Sequence, residues 1–322
     1  MESPLVSVVL PVYNAERYLE ESVASILSQS YRNFELIIIN DGSTDASPEI
    51  LKRFKDLRVR IFNQRNLGLS ATLNRGIQLA TGRYLARQDA DDVSYPERLA
   101  RQVAFLESQS DYCMVGTWSR ILEEARLTER AHKHPEQNGE LKFKLLFDNY
   151  FVHSSVMLRR SALDRVGLYC TEKLRQPEDY QLWSRLLRGG HGKMANIAEQ
   201  LVGYREVEGS ICRSDTRSFR GEVIEISMQN LAAVSGRELS DAVVGDLAAL
   251  AHNACERVSD RPNFKAMLSL MTDAAAKFKA EGGSDGNSLE QEVLLQYATV
   301  RKLYFQHRFG LVQGKLRSLF SR

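Results

Sequence analysis

Phe34-Glu-Leu-Ile-Ile-Ile-Asn-Asp-Gly-Ser-Thr-Asp45 joins a near-continuous apolar run directly to a polar turn. A strand apolar on both faces is buried on both faces, as in a parallel sheet covered by helices. Working outward, Val6–Leu10 is a second such run and ends in Pro11-Val-Tyr-Asn14. Arg58–Phe62 reads as a third strand, and Tyr84–Arg87 as a fourth that leads to Asp89-Ala-Asp-Asp92. Helical patterns lie between them. Ala15–Gln29 carries Tyr18, Leu19, Val23, Ile26 and Leu27 on one stripe, a helix follows near Ser47–Phe54, and Leu69–Ala80 stops at Gly82. The alternation predicts an α/β fold with a mixed, mostly parallel sheet flanked by helices.

The pattern loosens beyond residue 110. Cys113–Ile121, Ser155–Leu158 and Leu201–Tyr204 read as strands, and Pro177–Leu187 as a helix; Pro96 is expected to start another. From about residue 214 the chain turns helical, with helices near 216–235, 239–257 and 262–280 and a flexible link at Glu281–Ser288. The boundaries expected are 1–213, divided into 1–110 and 111–213, and a C-terminal helical extension, 214–322.

Composition narrows the function. With 43% hydrophobic and 26% charged residues the chain can bury a sizeable core. A net charge of +2 gives no reason to propose nucleic acid as a partner. Cys113, Cys170, Cys212 and Cys255 lie more than 40 residues apart, so neither a zinc site nor a disulfide framework is signalled. A reduced cytoplasmic setting fits. No basic n-region opens the chain and no stretch approaches the roughly 18 apolar residues of a membrane span. The expected location is therefore the cytoplasm or the inner face of the plasma membrane.

In an open parallel sheet, ligands bind beyond the carboxyl ends of the strands, and three polar clusters fall there. Asp89 and Asp91, two residues apart, face the same side if the segment is extended, and two carboxylates so placed can hold Mg²⁺ or Mn²⁺ together with substrate phosphates. The alternative is that Asp92 or Ser94 caps the following helix. Asp41 either accepts a bond from a base N–H or belongs to a turn, and Tyr13 either stacks on a base or covers the sheet edge. Glu178 and Asp179 open a helix whose dipole favours ionised carboxylates, as a general base requires, although acids there are also simply stabilising. Trp183, on the same face as Asp179, is either core or an acceptor-stacking platform. His153 precedes a strand and can face the site, whereas His132 and His134 read as surface loop. Neither G-x-G-x-x-G nor G-x-x-x-x-G-K-[ST] occurs.

Taken together, Val8-Val-Leu-Pro-Val-Tyr-Asn14, Asn40-Asp-Gly-Ser-Thr-Asp45, Asn66-Leu-Gly-Leu-Ser-Ala71, Asn74-Arg-Gly76, Asp89-Ala-Asp-Asp92 and Glu178-Asp-Tyr-Gln-Leu-Trp183 resemble the family 2 glycosyltransferases. The likeness is to bacterial members that build O-antigen and other surface polysaccharides, and it extends over Ala86–Ser94, Pro96–Leu99, His153–Met157 and Tyr204-Arg205. It implies an A-type nucleotide-diphospho-sugar transferase fold and an inverting single displacement, with 1–110 binding the nucleotide sugar and 111–213 the acceptor. By the same resemblance Pro11, Tyr13 and Asp41 hold the nucleoside. Asp89 faces the ribose or metal, Asp91 binds the metal, Asp179 deprotonates the acceptor hydroxyl, and Glu178 shapes the acceptor side. The implied partners are a nucleotide-diphospho-sugar donor, of the UDP class, and a saccharide or lipid-linked saccharide acceptor. Two positions depart from the pattern. Val207 stands where many relatives have His, leaving Glu206 or Glu208 as candidate ligands, and Leu73 stands where Arg is common. A nucleotidyltransferase would carry a glycine-rich loop after the first strand, and Pro11–Arg17 contains no glycine.

No acidic residue follows Glu292, while Arg301, Arg308, Lys315 and Arg322 recur every seven residues beside Phe305, Phe309, Val312, Leu316 and Leu319. On a helix these cations flank an apolar stripe. Two readings of residues 299–322 stand: an anchor to an anionic membrane surface, or a helix docked on the protein's own core.

Overall fold

A computed structural model describes residues 3–124, 126–172, 177–206, 216–281 and 286–320, without the side chains of 216–218, 286 and 310–320. The chain forms two compact units, Met1–Glu136 with Tyr150–Asp215, and Gln137–Asn149 with Thr216–Arg322.

The first unit is built on one sheet. Its strands are β1 (Val6–Val12), β2 (Phe34–Asp41), β3 (Val59–Gln64), β4 (Tyr84–Arg87), β5 (Val93–Ser94), β6 (Tyr112–Glu123), β7 (Arg126–His132), β8 (Met157–Arg159) and β9 (Lys193–Glu206). Their order is β3-β2-β1-β4-β8-β6-β9-β5, with β7 added on β6. The first four are parallel; β8 is antiparallel to both β4 and β6, while β6 and β9 are parallel. The α/β class read from the sequence is thus the class observed. Helices α1 (Leu19–Leu27), α2 (Ser47–Leu51), α3 (Leu69–Leu79), α4 (Arg98–Ser108), α6 (Arg160–Val166) and α7 (Glu178–Gly189) belong to this unit.

Local chemistry explains two apparent exceptions. Proline removes a ladder donor and is rare in central strands, yet Pro11 lies in central β1. The β1–β4 register ends at Val9↔Arg87, so at Pro11 only the β2 side is paired. Gly76 sits mid-helix, at a propensity cost, because α3 lies so close to β1 that a Cβ there would strike Val9 Cγ1.

Several sequence expectations change. The α1 helix begins only at Leu19, after turns at 16–18. Pro96 is not the first residue of α4: Glu97 is its N-cap and Arg98 its first residue. Ser155 lies in a 3-10 turn, His153–Ser155, ahead of β8. His132 ends β7, a strand the sequence reading missed because most of its residues are exposed and polar. The expected link at Glu281–Ser288 falls partly on 282–285, outside the described residues, and Gly286 already opens a helix.

One buried side chain ties the sheet to the loop after β4. Arg98 is fully buried. It donates to the Arg87 carbonyl (2.7 Å), Gln88 Oε1 (2.9 Å) and Ser94 Oγ (2.7 Å). Gln88 in turn donates to the Asp92 carbonyl (2.8 Å). Gln102, one turn further along α4, reaches the Val115 and Ser155 carbonyls of β6 and the turn before β8. Burial lowers the Arg98 guanidinium to about 9, with Asp92 acting in the opposite sense.

The second unit packs α5 (Asn138–Lys144) with α8 (Thr216–Ser235), α9 (Ala242–Ala251), α10 (Phe264–Ala280) and α11 (Gly286–Phe320). Leu141, Phe143, Leu145 and Leu146 are buried. Ser227 and Asn230 of α8 donate to the Leu146 and Leu145 carbonyls, and Lys142 and Lys144 pair with Glu281 and Glu292.

Two stability changes follow. Gly76→Ala forces Val9 or α3 to move, and overpacking of this kind costs about 1–3 kcal/mol. Arg98→Met leaves the Arg87 carbonyl without that donor, at about 1–3 kcal/mol for a buried unsatisfied group, while Gln88 Oε1 still accepts from Ser94 Oγ. Urea unfolding should show both as lower midpoints with unchanged slope; a midpoint equal to the parent's would contradict the corresponding contact.

Candidate active site

The carboxyl edge of β1–β4 carries three loops that hold one another. Asn14, in the left-handed region at φ 49°, accepts from Thr44 N (2.8 Å), and its own N–H donates to Ser43 Oγ (3.0 Å). Glu16 N–H donates to Asp45 (2.9 Å), and Ala46 N–H to Glu16 (2.8 Å). Gly42, at φ 75°, passes so close to the next loop that a Cβ would lie 2.8 Å from Asn66 N. Asp41 is buried, and its carboxylate accepts from Gln64 Nε2 (2.7 Å), Leu67 N (2.8 Å) and Gly68 N (2.9 Å). Three donors occupy most of the about four acceptor positions of a carboxylate. Asp41 is the last residue of β2 and, through these bonds, fixes the loop after β3. Pro11 is buried on β1, while Tyr13 is 52% exposed at the mouth of these loops. Leu73 is buried in α3.

The Asp89–Asp92 segment is not extended as the same-side argument assumed. It is a turn in which Asp92 N–H approaches the Asp89 carbonyl at 3.4 Å. The carboxylates still sense one another: burial and then the charge of Asp89 push Asp91 up to about 6. Asp92 does not cap α4, which has no side-chain cap. It turns inward, accepting from Ser154 Oγ and from Arg205 N (2.7 Å), and burial with two neighbouring carboxylates raises it well above the usual range. Arg205 clamps the turn from β9. It donates to the Asp91 carbonyl (2.7 Å) and to Glu21 (2.7 Å), with its guanidinium 4.2 Å from the Tyr18 ring centroid.

The first acid of α7 behaves unlike the sequence expectation. Glu178 lies at a helix N-terminus, yet burial and then Asp179 push its carboxyl up to about 8. Loss of water outweighs the dipole, which is worth at most about 2 kcal/mol. His153 is held well below its ordinary value by burial and by Arg87. Its Nδ1 stands 3.6 Å from Glu178 Oε1. With the imidazole neutral and the acid largely protonated at neutral pH, this approach is not an ion pair. The other ring nitrogen, Nε2, is 2.8 Å from the Tyr169 hydroxyl. Asp179 Oδ1 accepts from Tyr180 N at 2.6 Å. Trp183 is fully buried, 6.0 Å from the His153 ring and 6.2 Å from Phe151. It supports His153 from within the core and offers no open face, which corrects the stacking-platform reading.

Arg87, given no role from the sequence, stands between the two acid pairs. It is buried and bonds Asp89 at 2.5 Å, while its Nε and Nη1 are buried without a hydrogen-bond partner. Burial opposes its charge, but Asp89, Tyr169 and Glu178 together raise its pKa. The signal for it lay in the sequence as the last residue of a buried strand, where a charged side chain is unusual.

Among the described residues no group of three or more His, Cys, Asp or Glu is arranged to hold a metal ion. Asp89 and Asp91 are the pair whose excess negative charge suits a divalent cation bound mainly through substrate phosphates. Of the candidate extra ligands, Glu206 pairs with Arg130 at 2.7 Å; Val207 and Glu208 lie outside the described residues.

Comparison with known proteins identifies the family and the fold. Residues 7–167 match the sequence profile of glycosyl transferase family 2. EpsE of Bacillus subtilis is 37% identical over 238 residues, 72% of this chain and 81% of that relative. The O-antigen biosynthesis glycosyltransferase WbnJ of Escherichia coli is 35% identical over 62% of this chain and 79% of its own length. Among solved structures, S. aureus TarS 1–349 in complex with UDP-GlcNAc superposes with a TM-score of 0.61 at 17% identity, covering 94% of this chain and 91% of that one. A Pyrobaculum calidifontis mannosyltransferase in complex with GDP-Man and Mn²⁺ gives 0.55 at 17% identity, covering 100% and 88%. The fold is the A-type glycosyltransferase fold with C-terminal helices, and the chain belongs to glycosyl transferase family 2.

Proposed function

We propose that the protein transfers a sugar, with inversion and in one displacement, from a nucleotide-diphosphate donor of the UDP class to a hydroxyl of a saccharide or lipid-linked saccharide in surface polysaccharide synthesis. One observation supports the reading: in the turn before β8, Ser154 donates to Asp92 of the acidic turn while its neighbour His153 lies 3.6 Å from Glu178, so the acids after β4 and those opening α7 flank the same turn. The named relatives and the nucleotide-sugar complexes of similar fold support the same class.

In this reading the loops after β1 and β2 receive the nucleoside. Tyr13 offers its exposed ring, Pro11 shapes the strand end, and Asp41 holds the loop wall with one acceptor position left for the base. Asp89 and Asp91 would hold Mg²⁺ or Mn²⁺, which when bound would supply Lewis-acid neutralisation of the diphosphate leaving group. Arg205 and Arg98 fix the turn that carries them. On the acceptor side Asp179 takes the proton of the attacking hydroxyl. Glu178, largely protonated before substrate enters, donates or shapes, and His153 is held against it by Trp183. A base has to be ionised when the hydroxyl arrives, and of the two neighbours Glu178 is the one burial keeps neutral. The cytoplasm, or the inner face of the plasma membrane, is the place proposed for this reaction.

Two substitutions divide the roles. Asp91→Asn should weaken donor binding in Mn²⁺ sharply and abolish its metal dependence, read by titration calorimetry; parental binding would make Asp91 a bystander. Asp179→Asn should lower kcat by about 10²–10⁴-fold while donor affinity stays nearly constant. If Asp179→Asn keeps near-parental kcat and Glu178→Gln is inactive, the base is Glu178; if both stay active, α7 does not supply it.

A further inference from the structure

The last helix has two apolar stripes, and only one of them is used by the fold. Toward the second unit's core, Leu289 and Val300 are buried, and Tyr297 and Tyr304 pack on Phe264 with centroids 5.7 and 4.9 Å apart. His307 approaches the Ser259 carbonyl at 3.3 Å. At about 100° per residue, Leu294, Leu295, Phe305 and Phe309 fall on the opposite side. They are 64%, 61%, 56% and 65% exposed. The other large apolar side chains exposed among the described residues, such as Leu57 and Leu127, are scattered. These four share one helix.

The exposed stripe has a charge pattern. Arg301 and Arg308 lie along one edge and Lys302 lies within it, all exposed, and the Arg301 guanidinium sits 6.0 Å from the Phe305 ring centroid. No Asp or Glu occurs anywhere after Glu292. An exposed apolar patch marks an interaction site, and a rim of cations without acids selects the chemistry of its partner. The apolar face enters a hydrocarbon boundary while long cationic stems reach anionic headgroups. Among the described residues no helix is long and apolar enough to cross a membrane, so the contact is with a surface.

We infer that Leu294, Leu295, Phe305 and Phe309, with Arg301, Lys302 and Arg308, form an interfacial face that docks the protein on an anionic lipid bilayer. The core-docking and membrane readings of this helix are then both true, on opposite sides. The inference goes beyond the catalytic proposal, and vesicle binding tests it without reference to activity.

The full chain should co-sediment with phosphatidylcholine vesicles containing phosphatidylglycerol, fail to do so without the anionic lipid, and be released by added salt. Arg301→Gln with Arg308→Gln should weaken binding roughly 25-fold, about fivefold for each cation. Phe305→Ser with Phe309→Ser should weaken it about tenfold or more. All four positions are exposed, so circular dichroism melting should match the parent. If the parent ignores anionic vesicles, or if neither pair changes its binding, the inference is wrong. If light scattering instead shows a dimer that the serine pair dissociates, with no vesicle binding, the face is a self-contact and the lipid assignment falls.

Discussion

The Arg98 guanidinium is the interaction on which the rest of the first unit turns. It is fully buried and bonded to the end of β4, to Gln88 and to Ser94. Burying a charge is costly unless its donors are satisfied. Here the satisfaction comes from the backbone and side chains that bracket Asp89–Asp92. The acidic turn is therefore held from beneath by one cation, Arg98, and clamped from the β9 side by another, Arg205. Between them they set where three neighbouring carboxylates stand, at positions where mutual repulsion would otherwise spread them.

The burial that builds this turn also divides the acids by role. Asp92 is inside, bonded to Ser154 and Arg205, and structural. Asp91 is raised to about 6 with no bonded cation side chain among the described residues, while Asp89 leans on Arg87. Across Arg87, Glu178 is raised to about 8 and His153 is kept neutral. Groups pushed apart in this way take different tasks, because each protonation state offers either a donor or an acceptor.

Much of the fold was legible in the chain. Leu36–Ile39 and Val6–Leu10 announce buried parallel strands, since nothing but burial on both faces tolerates such runs. Leu69–Leu79 was readable from its stripe, its end shown by Gly82. What was not legible depends on contacts far apart in sequence. The turn at Asp89–Asp92 takes its shape from Arg98 and Arg205, so an extended-strand argument misplaced its geometry while naming its residues correctly. The polar strand β7 exists because β6 offers it an edge, and no apolar period reveals that. The segment 137–149 joins the C-terminal helices because Leu141 and Phe143 are buried with them. The sequence places it beside β7 and cannot show this.

Asp41 illustrates the same limit inside the site. Its position after three isoleucines marked it as special, and it is, but its carboxylate is engaged by Gln64, Leu67 and Gly68. A residue that orders a loop and a residue that meets a ligand give the same sequence signal, because both need a carboxylate at the end of a buried strand. The two roles are also physically coupled here. The Asn66-Leu-Gly68 segment, proposed to wall the nucleoside site, keeps its place only while Asp41 holds it, and Gly42 must lack a Cβ for that segment to pass. The proposed binding edge is thus assembled by carboxylate–amide bonds without a ligand, which lowers the ordering entropy that binding would otherwise have to overcome.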